Sequence, residues 1–310
     1  MSKVRILLTT YNGEKYLRQQ LYSLSKQDYD DYEVIISDDG STDSTSQIIR
    51  EYVERYPKLF KCYYSGIRFG NPNDHFMHLL KKYWDCDYLM FCDQDDIWHS
   101  DKVSILVNAA LILRESGEKL VLVHSGRNII DGDGNIIIQD EQNRLKKYWT
   151  NQKINRLLVN GSFQGCALLF SREVAKIASE YAPSNMRGSY DAWIGLIAYS
   201  LGEVQFIPVA TMDYRRHGDN ASGYKSHNPF AIIIESLQNN LCRKGMILCA
   251  QSAKEYSVYL SDVLPDDVVF LASRLASTEK MGYFQRKYIY LRYGLLKYGF
   301  ARCMGQILFG

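Results

Sequence analysis

Short apolar runs alternate with longer segments of helical period along the first half of the chain, which predicts strand–helix–strand units and a mostly parallel sheet. The run VRILLTTY (4–11), aliphatic and stopped by Asn-Gly, reads as a buried strand. In GEKYLRQQLYSLSKQ (13–27), Tyr16, Leu17, Leu21 and Leu24 fall at helical spacing. YEVIISDDG (32–40) is a second strand that ends in acids. STDSTSQIIREYVERY (41–56) offers Ser, Thr and Asp caps to a helix that Pro57 closes. FKCYYSG (60–66), NPNDHFMHLLKKYW (71–84) and DYLMFCD (87–93) continue as strand, helix and strand.

Beyond Lys102 the pattern predicts a helix to about Glu115, then strands near 120–130 and 135–139 joined by the DGDG turn at 131–134. A polar stretch (140–160) precedes GSFQGCALLFSREVAKIASEY, a strand then a helix. YDAWIGLIAYSLG (190–202) is a further helix, and VQFIPVATMDYRRHGDNASG (204–223) a strand that runs into a polar loop. From about 225 the texture changes to helices rich in Leu, Ile, Tyr and basic residues. The expected organisation is an α/β domain over 1–224 and a helical region over 225–310.

With 310 residues the chain can bury a large core. Its formal charge of +2 gives no sign of a nucleic-acid binder. The seven cysteines are scattered without metal-ligand spacing and read as core residues in a reducing cytosol. The opening MSKVRILLTTYNGEKY turns polar too early for a signal peptide. No run approaches the roughly 18 to 20 apolar residues of a membrane span, so a soluble or peripherally attached protein is expected.

Three polar clusters stand at predicted strand ends: Thr10-Tyr11-Asn12, Asp38-Asp39-Gly40-Ser41 and Asp93-Gln94-Asp95-Asp96. Ligands of open α/β sheets bind beyond the carboxyl ends of the strands, so the clusters are expected to share one crevice. Neither G-x-G-x-x-G nor a P-loop is present to cradle phosphate. Asp93, Asp95 and Asp96 would repel one another unless a cation sat among them. A carboxylate pocket meets an anionic phosphate only through a hard cation such as Mg²⁺ or Mn²⁺. Taken singly, each cluster also reads as an ordinary cap or solvated loop; their recurrence at successive strand ends favours a site.

TTYNGEKYL, VIISDDGSTDST, the DQDD that follows an apolar strand and the later G-x-x-x-x-F-S-R-E together resemble the family 2 glycosyltransferases over about residues 3–220. DQDDIWHSDK, YDAWIG and DYRRHGDNASG further resemble their bacterial rhamnosyltransferase-like branch, which builds cell-surface polysaccharides. The resemblance implies a GT-A fold, a Rossmann-like and mostly parallel sheet flanked by helices, here with a C-terminal helical extension. It also implies inverting transfer from a nucleoside-diphosphate sugar with Mn²⁺ or Mg²⁺ on the diphosphate. By motif, Thr10, Tyr11 and Asn12 flank the nucleotide, and Asp38 and Asp39 contact base or ribose. Asp93 and Asp95 match the D-x-D metal and donor motif, with Asp96 beside them.

Asp191 of SYDAWIG stands in the place of the catalytic base; its other reading is a carboxylate that opens a helix and meets the helix dipole. Arg215, Arg216 and His217 resemble a segment that closes over the diphosphate, against the plainer reading of a solvated pair of arginines. Gly165 either lets backbone approach the acceptor sugar or marks a strand bulge. Trp98 either stacks on sugar or acceptor or anchors its loop in the core. Arg68, at another strand end, either touches the nucleotide or is a plain surface arginine, the reading preferred here.

After Glu279 no acid follows, while Lys280, Arg286, Lys287, Arg292, Lys297 and Arg302 lie among seven Tyr and Phe residues. That mixture suits an anionic membrane surface; the other reading is a helical hairpin packed on the α/β domain or on a second subunit of a homo-oligomer. The expected protein is thus a rhamnosyltransferase using dTDP-rhamnose, acting on a lipid-linked or polysaccharide acceptor at the cytoplasmic face of the membrane. Transfer of another hexose from a UDP-sugar, and a nucleotide-sugar-binding protein without catalysis, are the alternatives. Nucleic acid is not an expected partner.

Overall fold

A computed structural model of the chain describes residues 2–139, 149, 152–160, 163–184, 186–218 and 241–310. The 224/225 boundary and the DNASG segment lie outside the described residues. In chain order the elements are β1 (Val4–Thr10), α1 (Leu17–Leu24), β2 (Tyr32–Asp38), α2 (Thr45–Arg55), β3 (Phe60–Tyr63), α3 (Pro72–Tyr83), β4 (Tyr88–Cys92), β5 (Ile97–Trp98), α4 (Lys102–Glu115), β6 (Val121–Ile130) and β7 (Ile136–Ile138). They continue with α5 (Ile154–Asn160), a 3₁₀ turn (Gly165–Ala167), β8 (Leu168–Ser171), α6 (Arg172–Glu180), α7 (Tyr190–Leu201) and β9 (Glu203–Arg215). Four helices follow: α8 (Leu241–Tyr259), α9 (Asp266–Ser277), α10 (Tyr283–Arg292) and α11 (Phe300–Phe309).

One sheet runs in the order β3-β2-β1-β4-β8-β6-β9-β5, with β7 paired to β6. The expected parallel set is β3, β2, β1 and β4. Past β4 the sheet turns mixed: β8 is antiparallel to both β4 and β6, β5 is antiparallel to β9, and β6 and β9 run parallel. The two-residue β5 went unread in the sequence because so short a strand leaves no periodic signal. Within α5 the helix covers residues that read only as a polar stretch.

Alternation along the strands divides the core into two layers. Leu7, Leu89, Phe91 and Phe170 face one side with Phe76 and Trp193. Ile6, Leu8, Met90 and Cys92 face the other with Leu17, Ile48 and Val103. Met246, Tyr256, Val268, Leu275, Ile289 and Tyr290 of the C-terminal helices belong to the first layer. The change of texture near 225 therefore marks no separate core; those helices pack on α5 and α7 within the layer on that side of the sheet. Lys287 and Arg286, read as part of a basic surface, turn inward, donating to Gly310 O at 3.2 Å each and, for Lys287, to Gln306 O at 2.7 Å. Among the described residues no helix is long and apolar enough to cross a membrane.

Candidate active site

Register brings the three polar clusters level. Thr10 pairs with Asp38 across β1 and β2, and Leu8 with Cys92 across β1 and β4, so the chain leaves all three strands at one edge of the sheet. Asp38 accepts from Thr10 Oγ1 (2.7 Å), Ser41 Oγ (2.6 Å) and Ser41 N (2.9 Å). The buried Asp39 carboxylate accepts from Phe69 N (2.5 Å) and Gly70 N (2.8 Å), drawing the segment after β3 to the crevice. Asn12, at φ +45°, donates from its backbone to Ser41 Oγ and accepts from Thr42 N. Tyr11 is exposed, with the Arg68 guanidinium 5.3 Å from its ring centroid and donating to its hydroxyl at 2.8 Å. Arg68 therefore lies at the mouth of the crevice, a position that its own sequence context left open.

Gln94 locks the β1 and β4 ends together, accepting from Tyr11 N and donating to Tyr11 O at 2.9 Å each. Gly13 makes room for it: a Cβ there would lie 2.3 Å from Gln94 Oε1. The three acids around Gln94 then separate into different environments. Asp93 accepts from the Cys166 thiol at 2.8 Å, and burial followed by the Asp95 charge pushes its pKa up to about 7. Asp95 meets His217 Nε2 at 2.7 Å. Asp96 is fully buried; Oδ1 accepts from Arg215 N at 3.1 Å, while Oδ2 has no hydrogen-bond partner among the described residues. Burial, then Asp95 and Asp93, raise its pKa well above the carboxylate range.

Asp93, Asp96 and Cys166 offer ligand atoms within 4.8 Å of one another. An orphaned buried carboxylate oxygen beside a second carboxylate is what a hard divalent cation relieves, so the cluster fits Mg²⁺ or Mn²⁺. The D-x-D reading chose Asp95 as partner to Asp93; the fold instead brings Asp96 and Cys166 to Asp93 and turns Asp95 to His217.

Three further expectations are corrected. Asp96, with no surface exposed, supports the cluster from beneath and cannot touch sugar or acceptor. Trp98 is 2% accessible and packs in the core with the Lys102 ammonium 3.9 Å from its ring centroid, so it anchors the loop. Arg215 is 1% accessible and its guanidinium is occupied by Asp95 O (2.8 Å), Gln19 Oε1 (2.7 Å), Asp131 O and Gly132 O, above the ring of Tyr16. It is a strut that fixes the end of β9 against the acid loop, out of reach of a diphosphate. Arg216 is half-buried, its N–H bonded to Ile130 O, and His217 packs 4.8 Å from the Tyr16 ring.

Asp191 stands in the first turn of α7, where its carboxylate accepts from Ala192 N at 2.8 Å, and the nearby Ser189 hydroxyl and Gly165 N–H favour its charged form. Burial raises its pKa to about 6, and its charge adds to the upward push on Asp93. Asp191 opens the helix, as one of its two sequence readings has it, and its charge reaches Asp93 of the acid cluster. Gly165 has a third role: a Cβ there would lie 2.0 Å from the Tyr190 hydroxyl, so glycine admits Tyr190 against the 3₁₀ turn and leaves no acceptor approach at that atom.

Lys102, Cys166, Tyr16 and Tyr190 escaped sequence reasoning. Lys102 alone carried a signal. A cation in the first turn of a helix opposes the dipole, and here burial lowers its pKa to about 8 while it donates to Cys166 O at 2.5 Å.

The arrangement pairs a half-buried carboxylate of raised pKa with an acid cluster of cation-binding chemistry at one sheet edge. The sequence profile of glycosyl transferase family 2 matches residues 5–177. A dTDP-rhamnosyl transferase of Shigella flexneri is 35% identical over 130 residues, 40% of this chain and 45% of the relative. An uncharacterized glycosyltransferase of Haemophilus influenzae is 30% identical over 179 residues, 57% of this chain and 65% of the relative. The matched stretches thus span about half to two thirds of these relatives. Among solved structures, Staphylococcus aureus TarS 1–349 in complex with UDP-GlcNAc superposes with a TM-score of 0.54 at 19% identity, covering 98% of this chain and 89% of that one. A Pyrobaculum calidifontis mannosyltransferase in complex with GDP-Man and Mn²⁺ gives 0.53 at 15%, covering 98% and 86%. With more than half of its length matched by the family profile, this chain belongs to glycosyl transferase family 2 and has the GT-A fold.

Proposed function

We propose that the chain transfers a sugar with inversion from a nucleoside-diphosphate donor to a saccharide acceptor, and that the sugar is rhamnose from dTDP-rhamnose. The observation that carries the transfer is Asp191, a half-buried carboxylate of raised pKa whose charge reaches Asp93 at the edge where β1, β2 and β4 end. Rhamnose is supported by the similarity to the dTDP-rhamnosyl transferase.

Asp191 takes the proton of the acceptor hydroxyl. The acceptor oxygen forms its bond to the anomeric carbon as the bond to the diphosphate oxygen breaks, and the electron pair leaves with the diphosphate. Tyr11 and Arg68 flank the nucleotide at the mouth of the crevice, with Thr10, Asn12, Asp38 and Asp39 shaping its wall. Asp93 and Asp96, with Asp95 next to them, would hold Mn²⁺ or Mg²⁺, which when bound supplies countercharge to the diphosphate. Arg216 and His217, carried on the strut of Arg215 with His217 against Asp95, would supply positive charge to the leaving phosphate.

A panel of dTDP-, UDP- and GDP-sugars with Mn²⁺, read by thermal shift and donor hydrolysis, tests this. Preference for dTDP-rhamnose is the expected result. Preference for a UDP-hexose would replace the sugar but keep the chemistry, and binding without turnover on any donor would leave a nucleotide-sugar-binding protein.

The work is further proposed to take place at a membrane surface, on a lipid-linked acceptor at the cytoplasmic face. Phe284, Tyr288 and Leu291 follow one another at i, i+4 and i+7 on α10 and are exposed, as is Phe300. Lys280, Arg292 and Arg302 are exposed around them, and no acid occurs after Glu279.

A further inference from the structure

Lys102 opens α4 and is fully buried, with its ammonium on three neutral partners: Cys166 O at 2.5 Å, Met212 Sδ at 3.1 Å and the Trp98 ring, whose centroid lies 3.9 Å away. It forms no ion pair among the described residues. Three costs therefore fall on this charge: desolvation, the lack of a paired carboxylate, and a helix N-terminus whose dipole repels a cation. Replacing a buried ion by an apolar side chain of similar volume is often neutral or stabilising, so a compensating charge must hold this one in place. The acid cluster supplies it. Cys166 accepts from Lys102 at its carbonyl and meets Asp93 at its thiol, donating to Oδ2 at 2.8 Å and accepting from Asp93 N at 3.1 Å. Asp93, Asp96 and Cys166 keep ligand atoms within 4.8 Å of one another, and the unpartnered Asp96 Oδ2 is sealed in the same region. Trp98 and Met212 pair across β5 and β9, so the ammonium sits where the acid loop, the 3₁₀ turn and β9 meet.

We infer that Lys102 is a positioning residue, the resident countercharge that holds the acid cluster together before a divalent cation arrives and lowers the cluster's affinity for that cation. The inference rests on the reading of the cluster as a Mn²⁺ or Mg²⁺ site. One fixed positive charge offsets part of the repulsion among Asp93, Asp95 and Asp96, which is far larger in the interior than in water. Its charge favours the ionised forms of Asp93 and Asp96 against their burial. An ammonium bonded directly to Asp96 would block that carboxylate. Held instead through Cys166, Met212 and Trp98, it balances the cluster and leaves Asp96 Oδ2 open. A divalent ion entering the same region meets Lys102 as a like charge, which costs it affinity.

The test uses the full chain, with melting followed first without metal and Mn²⁺ alone then titrated by calorimetry. Lys102→Met removes the charge and keeps most of the volume, and Lys102→Gln removes the charge but keeps a donor for Cys166 O. Asp96→Asn removes one acid and keeps an acceptor for Arg215 N. Without metal, both Lys102 variants are expected to lower the melting temperature by several degrees in the wild-type background and by far less in the Asp96→Asn background. Both single variants are expected to bind Mn²⁺ about tenfold more tightly than the wild type, and saturating Mn²⁺ to restore most of the lost melting temperature. A role confined to packing or to the Cys166 hydrogen bond predicts another pattern. Rescue of the melting temperature by Lys102→Gln, an equal loss in the Asp96→Asn background, or Mn²⁺ affinity that is unchanged or weaker overturns the inference. If neither single variant folds, the double variants with Asp96→Asn decide: folded doubles support the countercharge and unfolded ones overturn it. A wild type that takes up no Mn²⁺ rejects the metal reading itself, and the metal-free comparison then decides the countercharge alone.

Discussion

Asp191 can act as a base only in its charged form, and burial works against that form. Its pKa of about 6 sets the sign of the pH effect: the carboxylate is ionised above pH 6 and protonated below it. The acid limb of kcat/KM is therefore expected near pH 6, with a loss of about tenfold per pH unit beneath it. Asp191→Asn should lower kcat by on the order of 10²–10⁴-fold while donor affinity stays put; a variant with full turnover would remove Asp191 from the chemistry. Asp96 offers a contrast. It stands next to Asp95 in sequence, yet it is sealed beneath the loop with one oxygen unpaired. Adjacent acids in a motif are interchangeable on paper, and only the direction in which the loop turns after Gln94 assigns them.

At the scale of the element, β2 and β9 each depend on one buried charge. Glu33, at the start of β2, is held by Lys61, by Arg5 at 2.7 Å and by Lys3 at 3.1 Å. Burial alone would raise its pKa, but these hydrogen bonds win and bring it to about 2. A depressed carboxylate contributes stability above its unfolded pKa and loses it as pH falls through the folded value. Glu33→Gln should therefore cost on the order of 1–3 kcal/mol near neutrality, and the difference should vanish between pH 4.5 and 2 in urea titrations. For β9, Arg215→Met would strip Asp95 O, Gln19, Asp131 O and Gly132 O of a shared donor. A loss of about 2–4 kcal/mol is expected, seen as a lower melting temperature, together with weaker Mn²⁺-dependent nucleotide binding because the acid loop loses its strut.

For the whole molecule, the C-terminal helices bury one side against α5 and α7 and leave an aromatic, basic side outward. Co-sedimentation with vesicles should show binding to anionic phosphatidylglycerol and little to phosphatidylcholine, falling with salt. Phe284→Ser with Tyr288→Ser should weaken it about tenfold or more. Equal binding to both lipids would argue for a subunit contact at that face.

The sequence by itself determined the strands and helices of the first half, because period and polarity act over a few residues and each strand here is apolar up to a polar stop. It also determined that acids stand at strand ends, a base candidate at a helix start, and a family pattern across them. The partition of roles was decided only by the tertiary structure. Cys166 reaches Asp93 from a 3₁₀ turn, Arg215 reaches Asp95 and Asp96 from the end of β9, and Lys102 reaches Cys166 from the start of α4. These contacts join residues far apart in the chain through the pairing of β4, β8, β6 and β9, and strand order leaves no trace in local periodicity. Burial then sets which carboxylate keeps its charge, and burial belongs to the assembled sheet and helices, not to any one segment.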